Sequence, residues 1–327
     1  MTLMQERKID YIDKFPFEAE LGRVTHIKPH YHNDSLEILL VIKGSIDLIS
    51  NHEELTLTEG QFFSVDPRDI HAISSKEDNL LLQFHLNVKS PMVKWNHAEY
   101  LMFACQSSLC KPHQRQYMMA VKDLILALSF MYLNIIVPAK EQGTEPVIDG
   151  YDRALNELLD ILYEHFNWFN CNNTEEFDPE IHERMYSLYT YCVEHMHEKI
   201  TIPKLAEYVH LSQNYLSQFM RKTSFESFSN MLQFVRCYEA EHMMLESNLA
   251  NADIAFKCGF SDAKYFYAAF TKWWPSTPAV FRRKMKQLLD IPENTKPATT
   301  EDAADIMEDY ILQWHLDRTT KSISQLF

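Results

Sequence analysis

The sequence predicts an α+β chain: a small β-barrel or sandwich, then a helical connector, then an all-α C-terminal half. Three observations carry this. Between residues 9 and about 90, short apolar or alternating runs are separated by turn residues at Lys43-Gly44, Ser50-Asn51, Glu59-Gly60 and Asp66-Pro67, and short strands at even spacing belong to barrels and sandwiches. Residues 113–169 hold two helical stretches broken at 141–150 by Gly, Pro and acidic residues. Residues 180–288 keep apolar residues at helical spacing throughout. At ~150 residues per domain, 327 residues make about two domains with a connector.

Composition narrows the function. With 46% hydrophobic and 24% charged residues, the chain is neither disordered nor low in complexity. A net charge of −15 excludes a general nucleic-acid coat and charge-driven binding to anionic membranes. The six cysteines, Cys105, Cys110, Cys171, Cys192, Cys237 and Cys258, form no C-x-x-C pair, which argues against a zinc knuckle or redox motif. Residues 1–15 lack the apolar core of a signal peptide. The apolar stretch Leu124–Val137 is short of the ~20 residues that span a bilayer. The expectation is a cytoplasmic protein with reduced thiols and no membrane partner.

In the connector, apolar residues cover more than one stripe of each helix, so both helices are expected to be buried on two sides. One side suits the barrel and the other a second copy, giving a homodimer. Residues 170–179 read as a linker and 289–299 as another polar break. Thr300 then opens a short amphipathic helix with Ala303, Ile306, Met307, Tyr310 and Trp314 on one face.

The most informative stretch is 201–283, where one unit occurs twice. Thr201-Ile-Pro starts a helix, His210-Leu211 turns, and Ser212 caps a second helix. Then Ala252–Cys258 forms a helix, Gly259-Phe260 turns, and Ser261 or Asp262 caps the next. Ala206 and Ala255 hold equivalent places, where a small residue lets two helices cross closely. Helix, short turn and capped helix make a helix-turn-helix, whose second helix can enter a major groove. The helix between the units spans ~30 Å at ~1.5 Å per residue, close to one turn of DNA at ~34 Å.

These residues resemble the DNA-binding domain of the AraC/XylS family of transcription regulators. The resemblance is carried by Ala206, Ser212, Tyr215-Leu216, Arg236, Ala240, Met243-Met244, Ile254-Ala255, Gly259-Phe260-Ser261-Asp262, Tyr265-Phe266, Phe270, Lys272, Pro278 and Phe281-Arg282. Three glycines usual in the family are absent, at His210, Phe225 and Pro275, so those turns are expected to differ in detail. Charge agrees weakly with DNA binding: residues 178–286 hold 13 Lys and Arg against 12 Asp and Glu, while the rest of the chain carries −16. Base contacts are expected from Gln213, Asn214, Ser217 and Gln218 in the first reading helix and Ala263, Lys264 and Tyr267 in the second, which is poorer in hydrogen-bond donors. Phosphate contacts are expected from Arg221, Lys222, Lys272, Arg282 and Arg283. Tyr215, Leu216, Phe219, Tyr265, Phe266 and Phe270 read as core; Gln213, Asn214 and the run 282–286 can also be read as solvated.

In the strand region, His30, His32, Glu37 and Gly44 spell H-x-H-x4-E-x6-G, which resembles the first cupin motif. Gly60, Pro67 and His71 stand near the second, although Asp69 replaces its glycine. His30, His32, Glu37 and His71 are candidate ligands for a divalent metal by type, but the preferred expectation is that they line a small-molecule pocket, with no metal or other cofactor. His26, Tyr31, Phe63 and His85 can share that pocket, and His, Tyr and Glu side chains suit a sugar.

The domain reading is 1–112 cupin-like sensor, 113–169 helical dimerisation region, 170–179 linker, 180–288 DNA-binding domain and 289–327 acidic tail. The family resemblance implies a non-enzymatic, sequence-specific regulator, an activator responding to a sugar or other small molecule and meeting RNA polymerase. The alternatives are an interaction adaptor with a degenerate DNA-binding domain, and a metal-dependent cupin enzyme. Segment 300–316 of the tail is expected either to cover the DNA face or to pack beside it.

Overall fold

Alternation sorts the side chains of the N-terminal half. The structure is a computed structural model describing residues 2–50, 53–93, 95, 100–168, 179–223, 225–274 and 276–320. The strands are β1 (Phe17–His30), β2 (Ser35–Lys43), β3 (Ser45–Ser50), β4 (Glu53–Thr58), β5 (Phe62–Val65), β6 (His71–Ser74) and β7 (Leu80–Asn87). They pair antiparallel in the order β4-β3-β6-β1-β7-β2-β5, a nearly closed barrel. On β2, Leu36, Ile38 and Leu40 join the large core shared with the helices, while Leu39 and Val41 face a smaller second core inside the barrel with Phe63, Val65, Ile73 and Leu81. Glu37 shares the inward parity of Leu39, as do Gln83 and His85 of β7 with Leu81. The barrel interior is therefore apolar at one end and polar at the other. β1 is long because it changes partner, from β7 at Phe17–Gly22 to β6 at His26–His30.

The connector forms α1 (Arg115–Met131), which continues through a wide turn at Tyr132–Ile136 into α2 (Val137–Glu141), and α3 (Tyr151–His165), with α3 against α1. The continuous helix Pro112–Glu141 is long and apolar enough to cross a bilayer, and half of its most apolar stretch is buried inside this fold.

The C-terminal half comprises α4 (Pro179–His195), α5 (Ile202–Tyr208), α6 (Gln213–Arg221), α7 (Phe228–Glu246), α8 (Asn251–Lys257), α9 (Ala263–Trp273) and α10 (Pro278–Asp290). The expected linker, apart from Pro179, lies outside the described residues, as do Cys171 and Pro275.

The tail corrects two expectations. The polar break at 289–299 contains β8 (Asn294–Pro297), which pairs with Gly22–His26 of β1. A glycine serves at position 22 because a Cβ there would lie 3.0 Å from the Lys296 carbonyl oxygen and from Pro297 Cα. The amphipathic helix is α11 (Thr300–Thr320); it buries Ala303, Met307 and Trp314 against the connector and lies neither over nor beside the reading helices. Trp314 Nε1 donates to Asp123 Oδ1 at 2.7 Å, and Arg318 pairs with the same carboxylate. Lys122, 1% exposed, donates to the Gly60 carbonyl at 2.9 Å and lies 3.9 Å from the Trp314 ring centroid. Burial pushes its ammonium down to about 7. The second apolar side of α1, expected to meet another copy, is thus partly covered by the chain's own last helix.

Candidate functional site

Two sets of residues can carry function. The first is the pair of helix-turn-helix units, α5–α6 and α8–α9. Ala206 and Ala255 are buried where each pair crosses. Each turn closes with the same bonds: Leu211 N to Ala206 O (2.8 Å) and His210 N to Glu207 O (3.1 Å), matched by Phe260 N to Ala255 O (3.0 Å) and Gly259 N to Phe256 O (3.0 Å). Ser212 Oγ accepts from Tyr215 N at 3.2 Å and caps α6; Asp262 Oδ1 accepts from Lys264 N at 2.8 Å and caps α9. Position 210 takes the left-handed conformation (φ 53°) without a glycine, so this turn keeps the backbone that the missing glycine was expected to alter.

The outward face of α6 presents Gln213, Asn214, Tyr215 and Gln218, with Ser217 half-buried. That of α9 presents Lys264, Tyr265, Tyr267 and Ala268, with Ala263 half-buried. Leu216, Phe219, Phe266 and Phe270 are core, as expected, but Tyr215 and Tyr265 are 47% and 55% exposed. The reason is position. Both are third in their helix, one residue before the buried anchor, and so turn outward beside the candidate base-contacting residues. Arg184 of α4 approaches the Tyr215 ring and donates to its hydroxyl at 3.3 Å.

Among the expected phosphate contacts, Arg221, Lys222, Lys272 and Arg283 are exposed, although Lys272 Nζ donates to Asn230 Oδ1 at 2.7 Å. Arg282 is different: its guanidinium is bound to the carbonyls of Ser247 (2.8 Å) and Leu249 (2.5 Å) and to Asn251 Oδ1 (2.9 Å). It ties α10 to the loop before α8 rather than facing outward. Arg236 likewise donates to the carbonyls of Met196 and Glu198.

The second set is the polar end of the barrel. His30, His32, Glu37 and His71 are all buried, and one ligand atom from each lies within 4.8 Å of the others. The rings are aimed by their far nitrogens. Nδ1 of His30 faces the Lys28 carbonyl (2.8 Å), that of His32 the Arg7 carbonyl (2.6 Å) and that of His71 the Asp69 carbonyl (3.0 Å). A carbonyl only accepts, so each Nδ1 carries a proton and each ring turns its Nε2 inward. Those three Nε2 atoms and Glu37 Oε2 have no hydrogen-bond partner outside the cluster. His71 Nε2 stands 2.8 Å and His32 Nε2 3.5 Å from Glu37 Oε2.

Burial, then the neighbouring His71 charge, hold His30 well below the ordinary histidine range; burial lowers His32 too. Burial alone would raise Glu37, but the charges of His71 and His85 hold its carboxyl well below the usual range. His85 stands outside the set. Its Nδ1 lies 2.8 Å from Glu18 and its Nε2 3.3 Å from Glu37 Oε1. Burial works against its cation, yet Glu37 and then Glu18 push it up to about 10. Gln83 Nε2 donates to the same Oε1 at 3.0 Å. One carboxylate oxygen is thus satisfied and the other faces the three Nε2 atoms.

Three imidazole nitrogens and a carboxylate, with each imidazole held by a backbone acceptor, form a donor set for a divalent transition metal. The four residues expected either to line a pocket or to ligate a metal by type are brought together here. His26 and Tyr31 leave it, His26 toward the Leu288 carbonyl (3.1 Å) and Tyr31 against the His242 ring; Phe63 lies in the apolar interior. His32 also borders a cleft of about 650 Å³ walled by Arg7, Tyr11, Asn33, Arg68 and Asn87. Sequence reading missed Gln83, Glu18 and the turn at Arg68-Asp69, because each acts through a partner far away in the chain.

Comparison with known proteins matches residues 205–284 to a helix-turn-helix domain family and residues 19–85 to a cupin domain family. An uncharacterized HTH-type transcriptional regulator of Staphylococcus aureus (strain COL) is 22% identical over 279 residues, 85% of this chain. The chain spans 34% of that relative's length. The HTH-type transcriptional activator RhaS of Yersinia pestis (strain Pestoides F) is 22% identical over 260 residues, covering 79% of this chain and 90% of RhaS. The crystal structure of ToxT from Vibrio cholerae O395 covers 84% of this chain and 99% of its own at 12% identity, with a TM-score of 0.39.

Proposed function

The chain belongs to the AraC/XylS family of transcription regulators, and from that premise we propose that it presents α6 and α9 to DNA under the control of a divalent metal held by His30, His32, Glu37 and His71. DNA-binding transcription regulation comes with the family. The metal is the finer reading, and one observation carries it: four buried donor atoms from four residues converge with no hydrogen-bond partner outside the cluster. Buried polar groups are rarely left unsatisfied, and each exception calls for an occupant or a role. The donor set suits zinc, iron or nickel better than magnesium or calcium, which prefer oxygen.

The test is elemental analysis of the full chain purified without chelators, together with zinc and cobalt titration. About one metal per chain is expected, lost in His71→Ala and Glu37→Gln. A wild-type chain that takes up neither metal overturns the reading.

A second reading is a small organic effector such as a sugar in the cleft beside His32, favoured by its walls of Arg7, Tyr11, Asn33 and Asn87. A calorimetric screen of sugars against the metal-free and metal-loaded chain separates the two. Activation rather than repression is favoured by the name of the RhaS relative. A homodimer and contact with RNA polymerase are the partners that reading implies.

A further inference from the structure

We propose that the turn between β5 and β6, Asp66–Ile70, is a relay that makes the pose of α7, and with it both reading helices, depend on what the histidine cluster holds; the proposal rests on the metal reading of that cluster. Asp69 N closes the turn on the Asp66 carbonyl at 3.0 Å, and the other polar groups of Arg68 and Asp69 reach either the cluster or α7. Toward the cluster, Arg68 N donates to the His32 carbonyl at 2.6 Å, and the Asp69 carbonyl accepts from His71 Nδ1 at 3.0 Å. Toward α7, the Arg68 carbonyl accepts from His242 Nε2 at 2.9 Å, and the Arg68 guanidinium pairs with Glu239 at 3.0 Å. Asp69 Oδ1 accepts from the Tyr238 hydroxyl at 2.8 Å. Residues 238, 239 and 242 lie on one side of α7, so a single helix face reads the turn.

The backbone at Arg68 marks the same place. Its φ is 69°, a left-handed conformation that a long side chain adopts only when its surroundings impose it. A cavity of about 20 Å³ lies between turn and helix, bordered by Asp66, Asp69, Tyr189 and Tyr238. A metal that engages the Nε2 atoms of His32 and His71 restrains the two residues on which the turn hangs. On the other side, α7 joins the first helix-turn-helix unit to the second and packs on α4, α9 and α10. A change in its seat is felt by both units. If cluster occupancy biases that seat, DNA binding biases metal affinity by the same factor.

Four equilibria measured on the full chain test this. Zinc affinity is determined with and without a duplex selected by the protein from a random pool, and duplex affinity with and without zinc. In the wild type, zinc is expected to change duplex affinity about fivefold or more, and the duplex to change zinc affinity by the same factor. Tyr238→Phe with Glu239→Gln removes two of the α7 contacts and touches no cluster residue. This variant is expected to bind zinc alone as the wild type does while the coupling factor falls toward one. Asp69→Asn keeps an acceptor for Tyr238 and is expected to retain the coupling. Zinc binding without coupling in the wild type overturns the relay and leaves the metal reading intact, as does full coupling in the double variant. No zinc binding by the wild type overturns the metal reading itself and the relay with it. If the double variant is unfolded by circular dichroism, Tyr238→Phe alone decides by the same factor.

Discussion

The two helix-turn-helix units share a backbone and differ in what surrounds it. Their turns close with the same two hydrogen bonds from the same positions, yet one uses His210 and the other Gly259, both left-handed. His210 is exposed. Gly259 is packed: a Cβ there would lie 2.2 Å from the Met196 carbonyl oxygen and 3.0 Å from the Arg236 guanidinium. The reading faces differ as well, with amides on α6 and aromatic, cationic and small side chains on α9. The second unit is also strapped to the barrel. Lys284 pairs with Glu54, His26 faces the Leu288 carbonyl, and the chain runs on from α10 through β8 to α11. The backbone pattern of a unit thus constrains its fold, while its neighbours decide which of its residues can change.

The largest expected effect breaks the second turn. Gly259→Ala adds a Cβ to a left-handed residue directly against a backbone oxygen, and neither the strain nor the overlap can relax locally. It should destabilise the chain by upwards of about 2 kcal/mol, read as a lower thermal midpoint.

Next is the reading face. Gln213→Ala and Asn214→Ala remove amides suited to adenine edges, and each should cost roughly 1–3 kcal/mol of discrimination between the selected duplex and one altered at the contacted base. Tyr267→Ala and Ala268→Ser on α9 should change that discrimination less. Equal losses from the two helices, measured by anisotropy at fixed salt, would erase the contrast drawn between them.

This contrast also shows what was legible in the sequence. Local rules placed the helices, the caps at Ser212 and at Ser261 or Asp262, and the small residues at the crossings, because each depends on residues close by in the chain. The four cluster residues were legible by type and spacing, but their convergence was not. It depends on Asp69, Lys28 and Arg7 offering carbonyls to the far nitrogens, and on Gln83 and His85 occupying the other Glu37 oxygen. The strand β8 was hidden because Asn294–Pro297 is wholly exposed and polar; only its pairing with β1 makes it a strand. Tyr215 and Tyr265 were misread because an aromatic residue next to an apolar anchor looks like core until the helix phase is fixed.

A smaller effect sharpens the likeness of the units. Ser212→Ala and Asp262→Ala each remove one side-chain acceptor from a helix N-terminus and should each cost about 1 kcal/mol. The Asp262 loss should be the more sensitive to salt, since only its cap carries a charge.

The smallest expected effect returns to the first turn and has the opposite sign. His210 holds a left-handed backbone at a cost of about 1–2 kcal/mol for a residue with a Cβ. His210→Gly removes that cost but gives the unfolded chain more freedom, which takes back roughly 0.5–1 kcal/mol. The balance is a gain between about zero and 1.5 kcal/mol, seen as a small rise in the denaturant midpoint at unchanged slope. The side chain is exposed, and its backbone N–H bond to the Glu207 carbonyl survives the change. The variant therefore isolates the backbone term. A gain at 210 beside a large loss for Gly259→Ala would mean that both turns want glycine for its φ and that only the second also needs its missing Cβ. A loss at 210 would instead mean that the imidazole contributes to the first unit, and the two turns would differ in kind.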